Sequence, residues 1–406
     1  MNSDAIEISG NGFRYSALVG QCLMAAAGEL VRNPHLIPLP VGVEGAKRPV
    51  RADTRSFLQI TGNRCAIIAD ETSARLFGDR VCEAFASQNF SPQLITVPVG
   101  ERSKSLTQVE KICDEMIKAG FDRSSFVVGL GGGVIGDISG FVAAIFQRGI
   151  PHIQIPTTLL AMVDSSIGGK TGVNLEAGKN MIGLIHHPAL VICDVDALES
   201  LRPQELRQGY AEIIKHAVIR DAEMFRDLSS SRVPAEGFRC DSLKVSRPDP
   251  STSLRSARDD KMIELIRRNI AIKARIVSVD DRETSGQRAL LNFGHTVGHG
   301  IERATDFRIP HGDCISIGMV AACAISMRRA ALSANQREEV VALLEKFSLP
   351  TQLPAEVDRE KIIDAIAHDK KFSAGQIRFV VTPKIGEAQV SSDVTMDDIR
   401  AAIGEL

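Results

Sequence analysis

The segment Gly129-Leu130-Gly131-Gly132-Gly133-Val134-Ile135-Gly136-Asp137 constrains this chain more than any other. It follows the apolar run Ser125-Phe126-Val127-Val128 and leads into a helix-like pattern through Phe146, so it reads as a strand, a glycine turn and a helix N-terminus. Residues without a Cβ let the backbone approach a pyrophosphate, and the helix that follows offers unpaired N–H groups and a positive dipole end. The spacing Gly131-x-Gly133-x-x-Gly136 fits the dinucleotide fingerprint. A tight strand-to-helix connection without a ligand would show the same glycines, so the neighbouring segments decide.

Those segments follow βαβ logic. Strand patterns over 65–69 and 94–98 alternate with helical patterns over 73–87 and 106–119, and further strands are predicted at 152–155 and 190–194. After about residue 202 the periodicity turns helical, over 205–219, 261–279, 290–304, 313–330 and 336–347. The predicted fold class is therefore α/β: an N-terminal Rossmann-like nucleotide-binding domain over 56–201, then a mostly α-helical domain over 202–406. Two segments look like additions to that plan. They are an N-terminal extension over 1–55 and an exposed, mobile insertion over 229–258, where Ser, Arg, Asp and Pro dominate.

Charge excludes two classes of partner. Lys and Arg number 48 against 50 Asp and Glu, a net charge of -2, so no overall basic field recruits nucleic acid or an anionic membrane. The start of the chain lacks a signal-peptide pattern, and no apolar run approaches the ~20 residues that span a bilayer, which predicts a cytoplasmic protein. The eight cysteines form no Cys-x-x-Cys pair and read as reduced core thiols.

Three constellations carry chemistry. The stretch Pro156 to Asn174 sets small hydroxyls beside glycines, and Lys170, behind Gly168-Gly169, could reach a phosphate as a point charge. Glu212 and Lys215 share a helical face, which suits either a surface ion pair or a site. Three of the nine histidines, His295, His299 and His311, fall within seventeen residues. His295 and His299 at i, i+4 suit two ligands on one divalent ion, so spacing alone predicts those two plus a carboxylate.

Taken together, Gly131-Gly132-Gly133-Val134-Ile135-Gly136-Asp137, Gln147-Arg148-Gly149, Pro156-Thr157-Thr158-Leu159-Leu160, Val163 to Gly172, Gly178-Lys179-Asn180, Ala211-Glu212-Ile213-Ile214-Lys215 and Leu291 to Thr296 resemble, in this order, the 3-dehydroquinate synthases of the sugar phosphate cyclase superfamily. The resemblance covers roughly 60–390. It implies that NAD meets Asp70, Glu101, Lys104, Gly131, Gly132, Gly133, Val134, Asp137, Thr157, Thr158 and Lys179. It implies a divalent metal, zinc with cobalt as the alternative, on Glu212, His295 and His311, with His299 turned to substrate instead, and so makes 202–406 the metal- and substrate-binding domain. It further implies catalytic roles for Lys170, Lys215, Glu283 and His299, and substrate contacts for Arg148, Asp164, Asn180, Lys273, Arg288, Asn292 and Lys370 or Lys371. Arg148 would serve the neighbouring subunit of a homodimer. The implied activity converts 3-deoxy-D-arabino-heptulosonate 7-phosphate, a small sugar phosphate, to 3-dehydroquinate in the shikimate route.

Two departures bear on the pocket. His311-Gly312-Asp313 stands where His-Gly-Glu is usual, and Asp281 to Gly286 is one residue longer than the common loop. They leave an aminodehydroquinate synthase or a sedoheptulose 7-phosphate cyclase as alternatives. A glycerol-dehydrogenase-like alcohol dehydrogenase is a third, though it would have no use for Arg148, Lys170, Lys215 and Lys273 as a phosphate-elimination cluster.

Overall fold

A computed structural model describes residues 3–37, 60–176, 178–230, 253–284, 286–367, 372–373 and 376–406. Two compact units divide the chain: Met1–Leu201 with Ser246–Arg282, and Arg202–Val245 with Glu283–Leu406.

Among the described residues the first unit is built on nine strands. These are β1 Ser3–Gly10, β2 Phe13–Gly20, β3 Arg64–Asp70, β4 Ser91–Val97, β5 Phe126–Gly131, β6 His152–Pro156, β7 Lys170–Leu175, β8 Gly178–Ile185 and β9 Leu190–Asp194. Seven form one sheet in the order β1-β2-β9-β6-β5-β3-β4, parallel except for the β1–β2 hairpin. Every residue of β5, β6 and β9 is buried, as parallel strands covered on both faces require. The helix Gly133–Ile145 lies against β5, and Ile135, Ile138 and Val142 join Ala66, Ile68, Ile95 and Val127 in the core beneath it.

The sheet reaches further toward the N-terminus than the periodicity suggests. The hairpin β1–β2 turns at Asn11-Gly12, with Gly12 at φ 87°, and β2 pairs parallel to β9, some 170 residues on. The start of the predicted N-terminal extension is thus sheet, while 38–59 lie outside the described residues. The helix Ser253–Val279, predicted with the C-terminal helices, belongs to the first unit and packs on β1, β2 and the π-helical turn Ala161–Ser165. Most of the predicted insertion, 231–252, lies outside the described residues.

The second unit is mostly helical, with the antiparallel strand pair Phe379–Lys384 and Glu387–Ser391 beside its helices. The helix His311–Arg329 is buried without interruption from Gly312 to Ser326 and packs against the helices Pro203–Arg220 and His295–Ala304. A helix over 290–304 was predicted as one piece. It is broken instead: a 3-10 turn Arg288–Asn292 ends at Phe293, Gly294 takes φ 77°, and the helix starts afresh at His295. The left-handed Gly294 turns the chain so that His295 opens the new helix.

Candidate active site

The centre of the second unit is a buried carboxylate. Helix Pro203–Arg220 opens with Pro203 at its first position, and Glu205 accepts a hydrogen bond of 2.9 Å from Arg202 N, which sets the register of the face carrying Glu212. Glu212 is 0% exposed, and His295 Nε2 and His311 Nε2 each stand 3.4 Å from its Oε1. The Lys215 ammonium, itself 1% exposed, contacts Oε2.

Both imidazoles are aimed by their other nitrogen. His295 Nδ1 donates to Phe293 O at 3.0 Å, and His311 Nδ1 donates to the Glu302 carboxylate at 3.1 Å. A carbonyl or carboxylate oxygen only accepts, so Nδ1 carries a proton in each ring and Nε2 is the nitrogen that faces Glu212. Burial opposes the charge on Glu212, yet Lys215 and His295 hold its carboxyl well below the usual carboxylate range. Burial lowers His295, whereas for His311 the same burial is outweighed by the neighbouring Glu212 and Glu302 carboxylates, which push it up to about 10. The cluster is an attractive place for positive charge.

A metal ion fits these residues. Neither buried oxygen of Glu212 accepts a well-directed hydrogen bond, which costs about 1–3 kcal/mol for a polar group with no better partner. Ligand atoms about 2.0–2.1 Å from a tetrahedral zinc lie about 3.4 Å from one another, the separation between Glu212 Oε1 and each Nε2. Ligand atoms of Glu212, His295 and His311 all fall within 4.8 Å of one another. His299, Glu302 and His311 also fall within that range, but Glu302 already holds His311 Nδ1. The i, i+4 expectation is corrected accordingly: Glu212, His295 and His311 converge, while the His299 ring stands edge-on to His295 at 5.2 Å between centroids. One carboxylate and two imidazoles leave positions open, as catalytic sites do.

Glu302 escaped sequence reasoning. Its signal was present, because residues 295, 299 and 302 recur at i, i+4 and i+7 on one helical face. Asp313, the departure from His-Gly-Glu, accepts from Arg207 Nη2 at 2.8 Å and Gln208 Nε2 at 3.0 Å, tying the start of the His311 helix to the helix of Glu212. Arg288 is buried, and Asn292 donates to Glu283 at 3.3 Å. Lys370 and Lys371 lie outside the described residues.

In the first unit the predicted nucleotide residues gather at the carboxyl ends of the parallel strands, where open α/β sheets bind ligands. Asp70 ends β3, Glu101 and Lys104 follow β4, the glycine turn with Val134 and Asp137 follows β5, and Thr157 and Thr158 follow β6. A Cβ on Gly131 would lie 2.8 Å from Ile135 and 3.2 Å from Asp70 Oδ2, and one on Gly132 would lie 3.2 Å from Thr158, so the turn is closely packed. Asp70 caps the next turn, accepting from Thr72 N at 2.9 Å and Ser73 N at 3.0 Å.

Lys104 joins Asp137 to Asn180, and Glu101 accepts from Asn174 at 2.8 Å. Burial raises the Asp137 pKa while Lys104 opposes that rise. Lys170 and Asn180 line, with Asp137 and Thr171, a cavity of about 330 Å³. Lys179 is half-buried on β8. Lys273 donates to both the backbone and side-chain oxygens of Asp164 at 2.7 Å. Arg148 stands apart, exposed on a turn where it and Gln147 take φ 71° and 50°.

A Rossmann-like sheet with a glycine turn at its carboxyl edge, and a helical unit in which one Glu and two His converge, define a nucleotide-using, metal-dependent class of enzyme. Models of the 3-dehydroquinate synthase N-terminal and C-terminal domains match residues 94–208 and 209–372. The chain belongs to the 3-dehydroquinate synthase family. It is 42% identical over 343 residues to the 3-dehydroquinate synthase of Nostoc punctiforme, covering 84% of this chain and 90% of that protein. It is 41% identical over 396 residues to that of Symbiobacterium thermophilum, covering 97% and 98%. Among solved structures it is similar to 2-epi-5-epi-valiolone synthase from Streptomyces hygroscopicus subsp. jinggangensis with NAD+ and Zn2+ bound, at a TM-score of 0.73 and 27% identity, covering 84% of this chain and 90% of that one.

Proposed function

We infer that this chain catalyses the 3-dehydroquinate synthase reaction, converting 3-deoxy-D-arabino-heptulosonate 7-phosphate to 3-dehydroquinate and phosphate by transient oxidation, β-elimination, reduction and aldol closure. The observation that carries the reading is the convergence of His295 Nε2 and His311 Nε2 on buried Glu212 in a member of this family. When bound, a divalent ion on Glu212, His295 and His311 supplies Lewis acidity toward a substrate hydroxyl, and NAD at the glycine turn supplies a reversible hydride acceptor.

The chain's own residues do the rest. Phe293 O and Glu302 keep both Nε2 atoms turned toward Glu212. Lys170, at the head of β7 beside the cavity it lines with Asp137 and Asn180, meets the phosphate as a point charge and steadies its departure as a dianion. Lys273, fixed by Asp164, and buried Arg288 answer the substrate carboxylate, Arg288 with the planar fork suited to it. Glu283 and Asn292, hydrogen-bonded to each other, bind substrate hydroxyls, and His299 faces substrate beside the ligand cluster. Lys104, Asp137, Thr157 and Thr158 frame the nucleotide.

The test is phosphate release from 3-deoxy-D-arabino-heptulosonate 7-phosphate with NAD and zinc, with sedoheptulose 7-phosphate in parallel. Phosphate and dehydroquinate without net NADH is the expected result, while turnover of sedoheptulose 7-phosphate alone would place the chain among the cyclitol-forming relatives. Net NADH from a simple polyol would instead indicate a dehydrogenase. Chelation is expected to abolish release and added Zn2+ or Co2+ to restore it. Glu302→Gln is expected to weaken metal binding about 10–100-fold, read by competition with a chelating dye, because it loosens the hydrogen bond that aims His311. No helix among the described residues is long and apolar enough to cross a membrane. We place the enzyme in the cytoplasm as a homodimer, in which exposed Arg148 serves the second copy; sedimentation equilibrium checks the dimer.

A further inference from the structure

Lys170 emerges from a turn that has little rigidity of its own. Gly168 and Gly169 take φ 93° and 64°, and a glycine pair samples more backbone conformations than any other dipeptide. A lysine presented by such a turn meets a phosphate reproducibly only if something else holds the turn.

The holding groups come from three distant parts of the first unit. Gly168 N donates to the Tyr15 hydroxyl at 3.0 Å, a buried hydrogen bond across 153 positions, and His186 N donates to Gly169 O at 2.8 Å. The ring of His187 lies directly under the turn: a Cβ added to Gly169 would stand 2.8 Å from His187 Nδ1. That ring is fixed on two further sides. It stacks on Phe13 with centroids 3.7 Å apart and planes within 7°, and its Nε2 donates to Asp281 Oδ1 at 2.9 Å. His187 and Asp281 are 13% and 19% exposed, so the link is largely shielded from water. Phe13 and Tyr15 both lie on β2, and Asp281 follows the helix that carries Lys273.

We propose that His187 is a positioning residue for Lys170, and that Phe13, Tyr15 and Asp281 complete the clamp. The clamp holds the Gly168-Gly169 turn so that the lysine is directed at the substrate phosphate. This rests on the assignment of Lys170 to the phosphate, and it gives the N-terminal hairpin a catalytic purpose beyond its place in the sheet.

Steady-state phosphate release separates the two ideas. Lys170→Ala is expected to raise KM for the sugar phosphate at least tenfold with KM for NAD within about twofold. His187→Ala is expected to raise the same KM about tenfold, again sparing KM for NAD and metal affinity. His187→Gln can still donate to Asp281 and is expected to recover most of that loss. On a Lys170→Ala background, His187→Ala is expected to add nothing, because it acts through the lysine. Tyr15→Phe, a smaller change that removes the acceptor of Gly168 N, is expected to raise KM about threefold and serves if His187→Ala does not fold. If Lys170→Ala leaves KM unchanged, the phosphate assignment fails. If Lys170→Ala raises KM but folded His187→Ala does not, or if the two effects multiply in the double variant, the clamp is overturned and the assignment survives.

Discussion

Glu212→Gln is expected to lower phosphate release on the order of a thousandfold or more and to abolish stoichiometric zinc, read by metal analysis after dialysis. The carboxylate is the one anionic member of the proposed ligand set, and its replacement is isosteric, so shape is kept while charge and basicity are lost. The same substitution also leaves Lys215 as a buried ammonium without its counter-ion. Breaking a buried pair by removing one partner costs about 3–5 kcal/mol, whereas replacing both partners with apolar groups of similar volume is often neutral or stabilising. Glu212→Gln with Lys215→Met is therefore expected to recover most of the thermal stability that Glu212→Gln loses, with activity still absent. The two readouts diverge only if Glu212 has both a structural partner in Lys215 and a chemical partner in the metal. A Glu212→Gln variant that keeps zinc and turns over normally would remove Glu212 from the site.

How much of this was legible in the sequence depended on whether the signal was local. The turn from Gly131 to Asp137 is local, because one strand, one turn and one helix start supply all of its meaning, and it lies where the pattern put it, between β5 and the helix Gly133–Ile145. The Asn11-Gly12 hairpin was local too and was still passed over, although an Asn-Gly pair between apolar runs signals a two-residue turn. The placement of β2 beside β9 was not readable, since pairing partners in a parallel sheet are chosen by the packing of distant segments. The helix Ser253–Val279 shows the same limit. Its period predicts a helix and says nothing about which unit will cover it, and it returns to β1 and β2. At the candidate metal centre, spacing singled out the histidines, whereas the geometry brings His295 and His311 rather than His295 and His299 onto Glu212. Residues at i, i+4 share a face, yet His311 reaches Glu212 from another helix, and Gly294 rotates the chain just before His295.

Gly318→Ala should show how narrowly that convergence is built. Helices His295–Ala304 and His311–Arg329 cross where Gly294, Gly298 and Gly318 meet, and a Cβ on Gly318 would lie 2.0 Å from Gly294 O and 2.8 Å from Gly298 N. Those atoms are backbone and already joined, since Gly298 N donates to Gly294 O at 2.9 Å, so no side chain can swing aside to make room. The helices must separate or the turn at Gly294 must deform. Overpacking of this kind costs about 1–3 kcal/mol, and the upper end is expected for a contact against main chain. That loss corresponds to a fall in melting temperature of several degrees in a unit of this size. His295 is the residue after Gly294, so the same movement carries its Nε2 away from Glu212, and a displacement near 1 Å costs about a hundredfold in rate. Gly404→Ala is the matched control: nothing lies within 4 Å of the position its Cβ would take, and its effect is expected to stay within about 0.5 kcal/mol. A Gly318→Ala variant that melts and binds zinc like the parent would show that the close crossing does not position His295.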